Sequence, residues 1–332
     1  MGKKGSRKSL SLAALGEWGL LNRILPRLSE KRSKRVVLGP GDDAALVRVE
    51  KSVQVLTTDM LVEGVHFRRE WGSGRDLGHK TLAVNLSDLA AMGDVEPTVG
   101  VLSAGIPAET PVAYLENFFK GLKSLAQEHR FELVGGDTVR ASCLTFSLTA
   151  LGRVRGPVFK RSGSRVGDAL LVTGTLGDAA AGLALEKKRT PLGPGTAFLL
   201  KRFHRPEPRL AWARRLAVTG GVTACLDSSD GFWRSVSILG EASGVGAEVW
   251  VDQLPISPSL RKWAGRRALD LALVGGEDYE LVFTARPDCV GRLSALGFVR
   301  VVGKIVPPQR GLSAIHYGRP QEVPPVFEHF NG

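Results

Sequence analysis

The most constraining feature of this 332-residue chain is a glycine-rich acidic segment, GPGDDAAL (residues 39–46), followed at once by short apolar runs. The GPGDDA part fits the dinucleotide-binding pattern G-x-G-x-x-G/A. That pattern requires a helix between two parallel strands, and such a crossover takes about a dozen residues or more. Here the runs LVRV and VQVL flank only EKS, which predicts a tight β-hairpin from Leu46 to Leu56. The segment is therefore not a dinucleotide-binding loop, and the chain also lacks the pattern G-x-x-x-x-G-K-[ST].

The remaining patterns predict two α+β domains. Apolar residues recur at helical spacing between Thr110 and Arg130, and LTFSLTALGRV alternates apolar and polar residues as a half-buried strand does. A stretch rich in Gly, Arg and Ser at 152–167 is a reasonable domain junction. The length also suggests about two domains. We expect a basic tail at 1–15, an N-terminal domain at 16–152 and a C-terminal domain at 153–332.

The net charge of +12 is concentrated near the start of the chain. Residues 1–35 hold ten Lys or Arg and two Asp or Glu, a net charge of +8, which leaves +4 for the rest. A basic tail can bind nucleic acid or an acidic membrane, but most such runs are solvated and disordered. No apolar run is long enough to cross a membrane, no signal peptide is evident, and the three cysteines are far apart. We therefore expect a cytoplasmic protein that binds no membrane.

Acidic residues in apolar or glycine-rich settings occur in six segments. A carboxylate beside a buried strand is costly unless it is paired or binds a metal, although a single one is commonly a turn or capping residue. Because Mg²⁺ prefers oxygen ligands and reverses the local charge, the segments together predict a magnesium site that could hold a phosphate. These residues are Asp42, Asp43, Asp59, Asp88, Asp137, Asp227, Asp230, Glu277 and Asp278.

Longer motifs resemble those of the thiamine-monophosphate kinases, over nearly the whole chain from about Gly16. The wider superfamily includes aminoimidazole ribonucleotide synthetase and selenophosphate synthetase. The resemblance implies an α+β fold of two domains, an N-terminal α/β domain with a mixed sheet that forms a dimer and a C-terminal α+β domain. The segments that carry it are GPGDDAAL, TTDMLVEGVHF, KTLAVNLSDLAAMG, LVGGDTVR, KRSGSRVGDALLVTGTLGD, LDSSDG and LVGGEDYELVFT.

The resemblance further implies an activity: ATP-dependent phosphorylation of thiamine monophosphate to thiamine diphosphate by a homodimer that uses several Mg²⁺ ions. In-line attack by the acceptor phosphate, without a phosphoenzyme, would suit such a reaction. The implied ATP contacts are Gly136, Asp137, Arg161 and Ser229. The implied substrate contacts are His66, Glu277 and an aromatic residue near the C-terminus, Phe327 or its neighbour Phe330. The implied metal-binding positions are Asp43, Thr57, Thr58, Asp59, Asp88, Asp137, Asp227 and Asp230.

Two other functions are weighed against this one. Another ATP-using synthetase of the same superfamily would activate an amide oxygen, but the segments TTDMLVEGVHF and GGEDYELVFT argue against it. A nucleic-acid-binding protein acting through its basic N-terminus would bind with a steep salt dependence that is lost when residues 1–15 are removed. The small net charge of the rest of the chain argues against that function.

Overall fold

The structure is a computed structural model that describes residues 36–38, 42–49, 52–189 and 193–325. The predicted basic tail and the predicted domain start at Gly16 lie outside these residues. Within them, no helix has the length and apolar character needed to span a membrane.

The first half of the described chain forms a six-stranded mixed sheet with strand order β1-β2-β3-β6-β4-β5. Only β4 and β5 are parallel, and the other neighbouring pairs are antiparallel. The predicted hairpin is confirmed, since Leu46 of β2 pairs with Val55 of β3. The strands are β1 (Val36–Leu38), β2 (Ala45–Val49), β3 (Ser52–Val62), β4 (Gly93–Ile106), β5 (Glu132–Arg140) and β6 (Thr145–Val158).

Within the described residues, two helices pack on one face of this sheet, α1 (Gly74–Ala91) and α2 (Val112–Glu128). Helix α2 confirms the amphipathic helix predicted between Thr110 and Arg130. The two helices pack closely at Gly78, because a Cβ there would lie 1.8 Å from the carbonyl oxygen of Phe118. The Phe118 ring in turn stacks on Phe146 of β6, with ring centroids 4.1 Å apart. Helix α1 is thus held within the core, where its residues can contact both the first sheet and the second half of the chain.

The second half forms a seven-stranded sheet with strand order β13-β12-β9-β11-β7-β10-β8. Among the described strands of this sheet, only β9 and β12 are parallel neighbours. The strands are β7 (Ala169–Thr173), β8 (Val222–Asp227), β9 (Gly246–Trp250), β10 (Leu281–Ala285), β11 (Val299–Val306), β12 (Leu312–His316) and β13 (Arg319–Gln321). The helices are α3 (Asp178–Lys188), α4 (Pro194–His204), α5 (Leu210–Thr219), α6 (Phe232–Ser243), α7 (Pro258–Ala264), α8 (Ala268–Val274) and α9 (Val290–Ser294).

The two halves share a continuous hydrophobic core. One cluster of buried side chains includes Leu86 of α1 and Phe146 of β6 together with Phe283 of β10. A buried ion-pair network fixes the helices of the second half, since Glu280 is bonded by Arg202 of α4 at 2.8 Å and by Arg209 just before α5 at 2.6 Å. Mixed sheets with packed helices in both halves confirm the expected α+β fold class.

Candidate active site

Three aspartates from distant parts of the chain meet where the two halves join. Carboxylate oxygens of Asp43, Asp88 and Asp227 all lie within 4.8 Å of one another. Asp43 precedes β2, Asp88 lies on α1, and Asp227 is the last residue of β8. The site is therefore built from the residues just before β2 of the first sheet, the helix α1 that packs on that sheet, and the end of β8 in the second sheet.

Hydroxyl groups orient two of these carboxylates. Thr57 of β3 donates a hydrogen bond to Oδ2 of Asp88, with the oxygens 2.5 Å apart. Ser87, the helix residue before Asp88, donates to Oδ2 of Asp227 at 2.6 Å. Two consecutive residues of α1 thus take part in the site: Asp88 supplies one carboxylate, and Ser87 bonds the carboxylate of Asp227. This bond connects the two halves of the molecule.

An arginine supplies the positive charge next to the cluster. The guanidinium of Arg161 donates from Nε to Oδ2 of Asp43 at 3.2 Å and from Nη2 to Oδ1 at 3.0 Å. The backbone N–H of the same arginine donates to the carboxylate of Asp42, at 3.1 and 3.2 Å from its two oxygens. The predicted ATP contact Arg161 is therefore bonded to a predicted metal ligand.

Burial and repulsion between neighbouring carboxylates raise the pKa values of the cluster and of nearby Asp59, so the negatively charged forms are disfavoured. Burial, followed by the charge of Asp43, raises the pKa of Asp227 to about 8. Burial, followed by the charges of Asp230 and Asp43, raises the pKa of Asp59 to about 6. Burial also raises the pKa of Asp88 well above its usual value, and the charge of Asp59 adds to this effect. A set of buried oxygen donors with unbalanced charge fits a hard divalent cation such as Mg²⁺.

A cavity of about 590 Å³ opens beside the cluster, with Asp59, Ser229 and Asp230 on its wall. The predicted substrate contacts His66 and Glu277 line the same cavity. The backbone N–H of Val62 donates to Nδ1 of His66 at 3.1 Å, which assigns the ring proton to Nε2. Five of the predicted site residues therefore share one cavity.

Other predicted site residues lie apart from this cavity. Alternation along β3 turns Thr57 and Asp59 inward, whereas Thr58 faces the other side of the sheet, where its hydroxyl donates to the carbonyl of Leu148 at 3.1 Å. Gly136 and Asp137 are exposed on β5, the edge strand. Their predicted roles stay predictions. The role of Phe327 or Phe330 also stays a prediction, because both lie outside the described residues.

Comparisons with known proteins identify the family. The model of the AIR synthase related protein N-terminal domain matches residues 41–154, and that of the C-terminal domain matches 165–313. The thiamine-monophosphate kinase of Salmonella typhimurium is 38% identical over 92% of this chain and 95% of its own length. That of Escherichia coli K12 is 38% identical over 96% of this chain and 99% of its own. The chain belongs to the thiamine-monophosphate kinase family.

A solved structure described as AaThiL complexed with AMPPCP and TMP has the same architecture. It aligns with a TM-score of 0.85 at 31% identity, covering 97% of this chain and 99% of the other. The resemblance of the sequence motifs to thiamine-monophosphate kinases is thereby confirmed, and the chain is an enzyme of this kinase family.

Sequence reasoning missed several residues around this kinase-family site. It assigned no role to Ser87, to Trp71 of the cavity wall, or to Lys80, whose ammonium lies 2.9 Å from the carboxylate of Glu277. A lysine within the largely apolar segment KTLAVNLSDLAAMG is a signal that a buried charge needs a partner. The sequence alone offered no way to find that partner, since it lies almost two hundred residues away in the second half of the chain.

Proposed function

We propose that this chain catalyses the ATP-dependent phosphorylation of thiamine monophosphate to thiamine diphosphate, with Mg²⁺ held by its aspartates. The observation that carries the proposal is the buried cluster of Asp43, Asp88 and Asp227 beside a cavity large enough for a small molecule. The relatives named thiamine-monophosphate kinase and the neighbouring structure named with AMPPCP and TMP support the choice of both substrates.

The cluster is the proposed metal site. Its oxygen donors suit Mg²⁺, and when bound the metal would neutralise charge on the phosphates of ATP. Arg161, whose guanidinium can contact two phosphate oxygens at once, would bind ATP together with Gly136 and Ser229. The proposed metal-binding positions at or beside the cluster are Asp43, Thr57, Asp59, Asp88, Asp227 and Asp230. Thr58 and Asp137 are proposed to bind further Mg²⁺ ions away from the cluster, because Thr58 lies on the opposite face of β3 and Asp137 is exposed on β5. Asp137 would also contact ATP.

The cavity is the proposed site for thiamine monophosphate. His66 and Glu277 line it together with the aromatic side chain of Trp71, and Phe327 is proposed to complete it. An aromatic ring face would attract the cationic thiazolium. With the thiazolium bound at this ring, the phosphate of the acceptor would lie toward Asp59 and Asp230, on the side of the cavity next to the aspartate cluster.

We propose direct in-line transfer to the acceptor phosphate. A phosphate monoester is largely ionised at neutral pH, so its oxygen needs no strong general base, and phosphoryl transfer mainly requires positioning and neutralised charge. A chiral, isotopically labelled γ-phosphoryl group tests this step. Inversion at phosphorus is expected, whereas retention would indicate a phosphoenzyme and overturn the direct mechanism.

We also propose a cytoplasmic homodimer with domains at 16–152 and 153–332 after a basic tail at 1–15. The face of the first sheet opposite its helices exposes apolar side chains, and a second copy would cover them. Substituting Met60 and Val101 with glutamate should convert the dimer to monomer in light scattering. An unchanged mass would contradict this interface. The exposed apolar side chains are Leu56, Met60, Val101, Val134 and Val139.

The decisive assay of the function is incubation with ATP, Mg²⁺ and thiamine monophosphate, followed by chromatography. Thiamine diphosphate and ADP are expected in equal amounts. A panel of other acceptors separates this function from that of a synthetase of the same superfamily. ADP release that requires an amide acceptor, with no thiamine diphosphate formed, would overturn the proposal.

A further inference from the structure

Lys80 carries a buried positive charge close to the cavity. It lies on α1, and its side chain is 4% exposed. Its ammonium nitrogen is 4.1 Å from the ring centroid of Phe203, a buried residue of α4. A buried ammonium costs free energy unless an anion compensates it. The anion that compensates Lys80 therefore indicates the role of this side chain.

The anionic partner of Lys80 is Glu277. The nitrogen of Lys80 lies 2.9 Å from Oε1 of Glu277, and this is the one ion pair of Lys80 within the described part of the chain. The contact has the distance of an ion pair but not the angles of a hydrogen bond. The attraction is therefore mainly that of two charges in a poorly solvated place, where it is much stronger than in water.

The backbone of Glu277 is constrained as well. Its φ is +68°, in the left-handed region that side chains other than glycine rarely adopt. The conformation is held by a hydrogen bond from its N–H to the carbonyl of Ser229, at 2.6 Å. Such a backbone persists only where the surroundings fix it, and it is typical of functional sites.

Glu277 faces the cavity, whereas Lys80 lies behind it. The side chain of Glu277 is 22% exposed and lines the cavity that also contains His66. Lys80 is not part of this lining among the described residues. Lys80 instead lines a small neighbouring pocket that shares Trp71 with the cavity, and its charged contact with the cavity wall is the carboxylate of Glu277.

We propose that Lys80 is a positioning residue that fixes the carboxylate of Glu277 for recognition of the thiamine moiety. One carboxylate oxygen contacts the lysine, and the other is left for the substrate. Because α1 belongs to the first half of the molecule and Glu277 to the second, the pair also sets the distance between the two walls of the cavity. This inference rests on the proposed function.

The test is a kinetic comparison of wild-type enzyme with Lys80→Met, which keeps the apolar stem and removes the charge. The KM for thiamine monophosphate should rise about tenfold, while the KM for ATP and kcat change less than about threefold. Arg209→Met is the matched control, since it removes a buried arginine from the pair with Glu280 without touching the cavity lining. It should lower the thermal midpoint and leave the KM for thiamine monophosphate unchanged.

A double-mutant comparison distinguishes positioning from general stabilisation. Because Lys80 acts through Glu277, the Lys80→Met/Glu277→Gln enzyme should have the same KM for thiamine monophosphate as Glu277→Gln alone. This comparison also serves if Lys80→Met fails to fold, since the double variant leaves no charge unpaired. An unchanged KM in Lys80→Met, or a KM in the double variant five times that of Glu277→Gln, would overturn the inference. Failure of the proposed function would appear separately, as wild-type enzyme that does not phosphorylate thiamine monophosphate.

Discussion

The guanidinium of Arg161 holds both carboxylate oxygens of Asp43, at 3.2 and 3.0 Å. The carboxylate is 1% exposed and the arginine side chain 20% exposed, so little water screens this pair. The arginine therefore occupies the same oxygens that the proposed metal would use. We therefore expect the proposed metal binding and ATP binding to be linked at this pair, because a metal on Asp43 would release Arg161 toward the phosphates of ATP.

Replacing Arg161 with methionine should separate these effects. Breaking a buried pair should cost about 3 kcal/mol of unfolding free energy in the metal-free protein. The variant should nevertheless bind Mg²⁺ several-fold more tightly, because the competing cation is gone, while its KM for ATP rises about tenfold. Calorimetric Mg²⁺ titration and steady-state kinetics measure the two effects. Weaker Mg²⁺ binding together with an unchanged KM for ATP would contradict this account of the pair.

Several parts of this arrangement could be predicted from the sequence, because they depend on local patterns of residues. The hairpin and helix α2 follow local periodicity, and local patterns survive in the fold. The sequence also marked Asp43, Asp88 and Asp227 as unusual, because carboxylates in apolar settings require an explanation. The acidic segments together predicted a magnesium site, but the sequence did not show that these three residues meet at one point, since they approach one another through contacts between distant segments.

The two ion pairs at the site could not be predicted from local patterns in the sequence. Arg161 with Asp43 and Lys80 with Glu277 join residues from distant segments, and no periodicity signals such contacts. The position of Thr58 could in principle have been predicted. Strand alternation places it on the face opposite Thr57 and Asp59, yet the motif comparison grouped all three residues.

The stability of the metal-free protein should fall as the pH rises from about 4 to about 8. Burial and the charge of Asp43 raise the pKa of Asp227 to about 8, so the folded protein binds a proton that the unfolded chain has lost. Stability then decreases with pH over this window and levels off above it. Thermal midpoints in chelator at pH 5 and pH 8 measure the effect. Asp227→Asn should show a smaller loss than wild type, and an equal or larger loss would contradict the assignment.

Phosphorylation should require the phosphate of the acceptor. Thiamine lacks both the nucleophilic phosphate oxygen and the anion that would approach the proposed metal site. Turnover of thiamine should therefore be at least 100-fold below that of thiamine monophosphate under identical conditions. Comparable rates for the two acceptors, measured by chromatography of the products, would show that the cavity has a different role.

Removal of residues 1–10 should leave catalysis unchanged, since no motif of the family occurs before residue 16. The truncated and full-length proteins should have kcat and KM values within about twofold of each other. Any binding to nucleic acid should be salt-dependent and should disappear with the tail. A truncated protein that folds normally but loses most of its activity would show that the tail contributes to the site.

The most direct test of the magnesium site is turnover against Mg²⁺ concentration for wild type and Asp88→Asn. Asparagine keeps the oxygen that accepts the hydrogen bond from Thr57, and unlike a change at Asp43 it leaves no arginine unpaired. Because it also relieves repulsion among buried carboxylates, the thermal midpoint of the metal-free variant should equal or exceed that of wild type. We predict a fall in turnover of at least 100-fold at limiting Mg²⁺, with partial recovery at high Mg²⁺. Near-wild-type turnover at limiting Mg²⁺ in the folded variant would contradict the claim that this cluster holds the metal.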